Sequence, residues 1–339
     1  MAFNFKRAQE APPQFCIFGK LPRRGDFVRV NATHPAATQL DQLLAQSLLG
    51  LESGPEAVER YRATPATSFV LRSRDQMWLS LGVMQPSRDE SGRNYPLVAA
   101  SLLPCDTPLP PLSVLMLANE LFFSGLKEQL SSAIDNAVEM LACRQFLEEQ
   151  SWFGSSSSAD IELAQQLLER HMAMTPASRL AALLAQRGLP DLETVLLAFT
   201  FHHQLLRKFK GSLSAQTYLL PLPDSDGEDM LAAATWLSLY QAATTGQGGQ
   251  AEQCLLMRRP EGRFLALLPG ELNEQIVAQC WGGQLDARFV VDVAEPQAPW
   301  RNHQAYAEAA YILGRRLNDP SISVAQLSDV ASSLSRSVA

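Results

Sequence analysis

Between Thr67 and Leu103 the chain carries three short apolar runs, SFVLR, MWLSLGVM and YPLVAASLL, divided by the polar stretches SRDQ and PSRDESGR. Each is strand-length, apolar or alternating, and bounded by turn formers, which predicts three strands in a meander. A meander needs at least one covered face, so the flanking segments must supply helices. FCIF at 15–18 reads as a further buried strand running straight into Gly19. Thr33 and Pro35 signal a helix start, Leu40, Leu43, Leu44 and Leu48 form its apolar stripe, and Gly50 closes it, giving a helix over 35–49. After prolines 104, 108, 110 and 111, the stretch LSVLMLANELFFSGLKEQLSSAI reads as one helix with Pro111 in its first turn. A second helix is expected at about 137–149.

Gly154 and Ser155–Ser158 make the sharpest composition break in the chain. Together with a length of 339 residues, it favours two domains. The expected organisation is a flexible lead-in at 1–13, an α/β domain at 14–150, a serine-rich linker at 151–158 and a second domain at 159–339. Three helices should open the second half. Ser157 and Asp160 have capping-box spacing, Thr175 and Pro176 begin a helix, and Gly188 and Pro190 end it. TYLLPLP at 217–223 predicts a strand and 228–243 a helix. CLLMRRPEGRFLALLPG predicts a hairpin turning at Pro260–Gly262, ARFVVDV at 287–293 a last strand, and helices follow near 303–317 and 322–334. The fold class is therefore α/β of the α+β type. An N-terminal sheet of about four or five strands is covered by helices and followed by a mixed, helix-rich α/β domain.

Composition narrows the function classes. Apolar residues make up 46% and charged residues 19%, enough to bury a core. The charge of −7 is spread along the chain and argues against general nucleic-acid binding. No apolar run reaches the ~18 residues of a membrane span, and MAFNFKRAQEAPPQF lacks the apolar stretch of a secretory signal, so direct membrane insertion is not expected. Cys16, Cys105, Cys143, Cys254 and Cys280 are odd in number and contain no CxxC pair, so free, largely buried thiols in a reducing cytoplasm are expected.

No catalytic constellation emerges. In GKLPRRG, Leu21 follows Lys20 where a phosphate-binding P-loop requires lysine after its second glycine and then a hydroxyl. TTGQGGQ at 244–250 joins a helix to a strand, opposite to the dinucleotide-binding order, and reads as a connector. His202 and His203 are adjacent on a helix and diverge by about 100°, so they do not form a metal pair, and His203 reads as a core histidine. Neither metal, cofactor nor enzymatic activity is expected.

Two loops stand out because their backbones are heavily specified. The first holds Gly19, Lys20, Pro22, Arg23, Arg24, Gly25, Asp26 and Phe27. The second holds Pro86, Ser87, Asp89, Gly92 and Arg93. Both begin at strand ends. Two readings stay open: an internal brace in which Arg93 or Arg24 clamps Asp26 or Asp89, or a surface presented to a partner. An alternative of another class is a phosphate- or nucleotide-binding switch or enzyme using Lys20, Arg23 and Arg24, since three cations near two glycines suit an anion.

FGKLPRRGDFV and, about sixty residues later, PSRDESGRNYPL resemble the two signature segments of the type VI secretion-associated TagF family, also called ImpM. The matching positions are Gly19, Leu21, Pro22, Gly25, Asp26 and Phe27, then Pro86, Ser87, Asp89, Gly92, Arg93, Pro96 and Leu97, with Tyr95 where the family usually has phenylalanine. Trp78 also fits, and the resemblance covers roughly residues 14–150. It implies a cytoplasmic accessory protein that restrains the secretion apparatus after translation, in some members by binding a forkhead-associated scaffold protein. Some relatives carry a fused metal-dependent phosphatase, but its DGxxG aspartate motif is missing from this chain.

Overall fold

The computed structural model describes residues 14–49, 51, 54–106, 108–153, 158–209, 216–247, 253–270, 272, 274–282 and 286–338. The expected lead-in at 1–13, the helix-closing Gly50, the capping Ser157 and most of the serine run lie outside these residues.

The N-terminal half supplies five strands: β1 (Phe15–Gly19), β2 (Val28–Val30), β3 (Thr67–Arg72), β4 (Trp78–Gln85) and β5 (Leu97–Pro104). The meander β3–β4–β5 forms as its apolar pattern requires, and β1 adds to the far side of β5. Its helices are α1 (Pro35–Leu49), α2 (Pro55–Ala63), α3 (Leu112–Ala118), α4 (Glu120–Asp135) and α5 (Met140–Phe153). The helix expected after the proline cluster is broken in two. At the break, the buried Asn119 donates its side-chain amide to the Leu115 carbonyl at 2.7 Å, in competition with the backbone ladder. The sequence pattern did not indicate α2, whose only buried residue is Tyr61.

The second half supplies α6 (Ser158–Met174), α7 (Ala177–Gln186), α8 (Leu192–Lys208), β6 (Tyr218–Leu222), α9 (Glu228–Thr244), β7 (Gln253–Arg259), β8 (Gly262–Leu268), α10 (Glu274–Cys280), α11 (Tyr306–Leu317) and α12 (Val324–Ser337). The hairpin turns through Pro260 and Glu261. The strand expected at 287–293 does not form. Asp286 accepts a hydrogen bond from the Arg288 backbone N–H and pairs with its guanidinium, which winds Ala287–Phe289 into a 3-10 turn. Only a bridge between Thr217 and Val290 remains of that strand.

The two halves share one sheet. Its eight strands run in the order β2-β1-β5-β4-β3-β7-β8-β6, with every neighbouring pair antiparallel. β3 joins β7 through Ser68 with Leu256, Phe69 with Leu255 and Val70 with Cys254. Alternation along the strands then sorts the core onto two faces. Ile17, Val70, Ala99, Leu265 and Leu267 point toward α3, α4, α6, α8, α9 and α12. Phe18, Phe69, Val98, Leu255 and Ala266 point toward α1, Tyr61 of α2, and Ile276, Val277 and Cys280 of α10. Helices cover both faces, which explains why the central strands are apolar throughout. The N-terminal sheet is thus the first part of a larger sheet, completed by strands from beyond the serine run.

Candidate functional site

The two loops meet at the end of β1. Gly19 has φ +133°, and a Cβ there would lie 2.8 Å from the Leu97 Cα and closer still to the Pro96 carbonyl. Only glycine allows the first loop to leave β1 against the backbone that enters β5. From this crossing the chains are stitched together. The Glu90 N–H donates to the Arg24 carbonyl at 3.1 Å, and the buried Ser87 hydroxyl donates to the Lys20 carbonyl at 2.7 Å.

Asp89 is the electrostatic centre of this arrangement. Its side chain is fully covered, and its Oδ2 accepts from Arg93 Nε at 2.6 Å and lies 3.1 Å from Lys20 Nζ. Its Oδ1 accepts the Arg93 backbone N–H at 2.9 Å. The Asp89 N–H donates to the Arg93 carbonyl, and the Gly92 N–H to the Asp89 carbonyl. Gly92, at φ +84°, supplies the left-handed residue of this tight loop. Loss of solvent raises the Asp89 pKa. The Arg93 backbone N–H, hydrogen bonds from Lys20 and Arg93 and the Lys20 charge outweigh that effect and hold it at about 2.

Of the braces open to the sequence, Arg93 on Asp89 forms, and Lys20 joins it. Arg24 contributes its carbonyl instead of its side chain. Asp26 takes no part. Arg23, Arg24, Gly25 and Asp26 are exposed, as are Arg88 and Glu90 of the second loop, and among the described residues no ion pair holds these charged side chains. Lys20, expected to be available for an anion, is 16% exposed and faces Asp89. Pro86 is buried, and Pro22 and Phe27 are half-buried. Phe27 sits edge-on to Tyr95 with ring centroids 5.0 Å apart, and the Arg29 guanidinium lies 5.1 Å from its centroid.

Three further supports come from residues outside the candidate set, of which Tyr61, Arg62 and Asp41 lie in no signature segment. The Tyr61 hydroxyl accepts from the Ser87 N–H at 3.2 Å and donates to the Ser87 carbonyl at 3.3 Å. Arg62 reaches the Asn94 side chain and the Gly92 carbonyl, both at 3.4 Å. The Tyr95 hydroxyl donates to the Asp41 carboxylate of α1. These contacts join positions 26 to 54 residues apart in the chain, and spacing alone carries no signal of them.

Four buried thiols and two buried histidines lie in the core away from the loops. Burial pushes the thiols of Cys16, Cys143, Cys254 and Cys280 up to about 12, far from a reactive thiolate. His202 and His203 bond the hydroxyls of Tyr218 and Tyr240, each at 2.8 Å, and burial lowers both imidazoles to about 4. No group of three or more potential metal ligands occurs among the described residues.

The family model that matches this braced crossing is the TagF N-terminal domain, type VI secretion system-associated, over residues 16–150. Residues 16–150 belong to the TagF family. The TagF domain therefore comprises β1–β5, α1–α4 and most of α5, with both signature loops, and marks this as a type VI secretion-associated protein. A crystal structure of a Pseudomonas aeruginosa PAO1 protein is similar at 26% identity over 40% of this chain, with a TM-score of 0.30, and the match spans 61% of that protein's chain. No curated protein matches. No helix among the described residues is long and apolar enough to cross a membrane.

Proposed function

We propose that the protein is a cytoplasmic, non-enzymatic regulator of the type VI secretion system. In this reading the TagF domain binds a scaffold component, of which a forkhead-associated protein is the leading candidate, and occupancy restrains assembly of the apparatus. The observation that carries the reading is the division of labour in the paired loops. Asp89, Lys20, Arg93 and Ser87 hold the backbones rigid, while Arg23, Arg24, Asp26, Arg88 and Glu90 stand exposed with no ion partner among the described residues. Preorganised loops with uncommitted charges suit protein recognition, because little loop entropy is lost on binding and opposite charges steer the encounter. An inhibitor acting by mass action needs no catalytic group.

The test is capture of secretion components by the tagged full-length protein from its native cytoplasm, compared with the Arg23→Glu/Arg24→Glu variant. Capture of a forkhead-associated scaffold by the wild type, at least tenfold reduced in a variant that retains its thermal midpoint, is the expected result. Equal recovery by both proteins would remove the loops as the binding surface. Deletion should raise secretion of the tube protein without changing its transcript, and unchanged secretion would refute the inhibitory role.

A further inference from the structure

A cleft of about 430 Å³ opens where α4 of the TagF domain faces the second half. Its polar wall holds Lys127 and Ser131 of α4, Asp226 and Asp229 at the start of α9, Arg258 of β7 and Arg263 of β8. The charges of this wall are unequally committed. Arg263 holds both aspartates, Asp226 at 2.6 Å and Asp229 at 2.7 Å. Glu128, the remaining charged residue of the wall, is exposed.

Lys127 is half-buried, and its Nζ reaches solvent without a hydrogen bond or ion pair among the described residues. Burial lowers its pKa from the ordinary lysine value; Asp229 and Asp226 oppose that shift and Arg263 adds to it. At a given pH more of this amine is therefore uncharged, the form that acts as a nucleophile. Arg258 is exposed and likewise has no ion pair among the described residues. Both cationic ends face the same mouth: after the Arg263 hydrogen bond and charge, the charges of Lys127 and Arg258 help hold the Asp226 carboxyl below its usual range. The other described lysines are placed differently. Lys20 Nζ lies 3.1 Å from Asp89, and Lys208 is exposed beside the Phe209 ring.

We propose that Lys127 is an acylation site whose acyl donor is a small acyl phosphate seated in this cleft. The Arg258 guanidinium receives the phosphate, whose oxygens match its fork, and the acyl carbonyl enters the cleft that Lys127 lines. The Lys127 amine attacks that carbonyl: the N–C bond forms, the C–O bond to phosphate breaks, and phosphate leaves with the bonding pair. The amine proton passes to water. The product amide is neutral, so α4 of the TagF domain loses the cation it sets near Asp226 and Asp229 of the second half.

Treatment of the full-length protein with millimolar acetyl phosphate, followed over time by peptide mass spectrometry, tests it. Initial acetylation of Lys127 is expected to be about fivefold faster than that of Lys20 or Lys208, because its amine is less often protonated. Arg258→Ala should slow Lys127 about tenfold through loss of a charge-assisted contact, while Arg258→Lys keeps most of the rate. Arg258 is exposed, so both variants should retain the wild-type thermal midpoint. N-hydroxysuccinimidyl acetate, an uncharged donor, separates phosphate binding from a structural effect: it should acetylate Lys127 equally fast in the wild type and in Arg258→Ala. Acetylation of Lys127 no faster than that of Lys208, an unchanged rate in Arg258→Ala, or equal slowing with both donors would overturn the proposal.

Discussion

Replacing Tyr61 by Phe removes one oxygen from the support of the second signature loop and leaves its volume and packing in place. Tyr61 is 1% exposed, and its ring packs edge-on against Trp281 at 5.8 Å, a contact phenylalanine retains. The hydroxyl serves both sides of the Ser87 peptide chain, but the losses are unequal. The Ser87 carbonyl keeps the Tyr95 N–H at 3.0 Å, whereas the Ser87 N–H loses the hydroxyl that accepts from it at 3.2 Å. A buried donor is orphaned, and the expected cost is about 1–3 kcal/mol. Urea denaturation of both proteins, read from midpoints at equal slope, measures it. Hydrogen exchange should place the loosening at Ser87–Gly92. A loss below about 0.5 kcal/mol, with no faster exchange in that loop, would refute the claim that Tyr61 holds the loop, because an orphaned buried N–H cannot be that cheap.

Gly19→Ala should destabilise by more than about 2 kcal/mol, since it combines an unfavourable φ with a collision against the Pro96–Leu97 backbone; a thermal midpoint equal to wild type would show that the crossing can open. Asp89, held at about 2 against an ordinary ~3.9, contributes stability that is fully present above about pH 4 and lost as the pH falls toward 2. The stability gap between wild type and Asp89→Asn should therefore narrow across that window, and a gap independent of pH would disprove the ionic brace. Both buried histidines titrate at higher pH in the unfolded chain and are common to the two proteins, so their effect cancels in the difference. Separate expression of 1–153 and 158–339 should give aggregation-prone fragments that become soluble on co-expression, because separation exposes the β3 and β7 edges; a monomeric, cooperatively unfolding 1–153 would show that the TagF domain needs no partner strand.

Most elements were legible because they depend on local pattern. The α1 stripe and its proline start, the three-strand meander and the β7–β8 hairpin are each set by neighbours a few residues apart. The misses have local causes: β2 is three residues long and α10 seven, α2 buries a single side chain, one expected helix is broken at Asn119, and 287–293 has strand composition but is turned by Asp286. At the site, both loops could be marked out by their glycines, prolines and charges. Their internal pairing could not, since Arg24 and Arg93 were equally able to reach a carboxylate on paper.

The sequence by itself determined most of the strands and helices and the family that residues 16–150 match, because periodicity, caps and signature glycines act locally. Only the tertiary structure decided that the halves share one sheet and that Asp89 takes Lys20 and Arg93 while Arg23 and Arg24 face solvent. Strand partners and ion pairs are chosen by distance in space, and β3 selects β7 across more than 180 residues because that pairing closes two apolar faces at once.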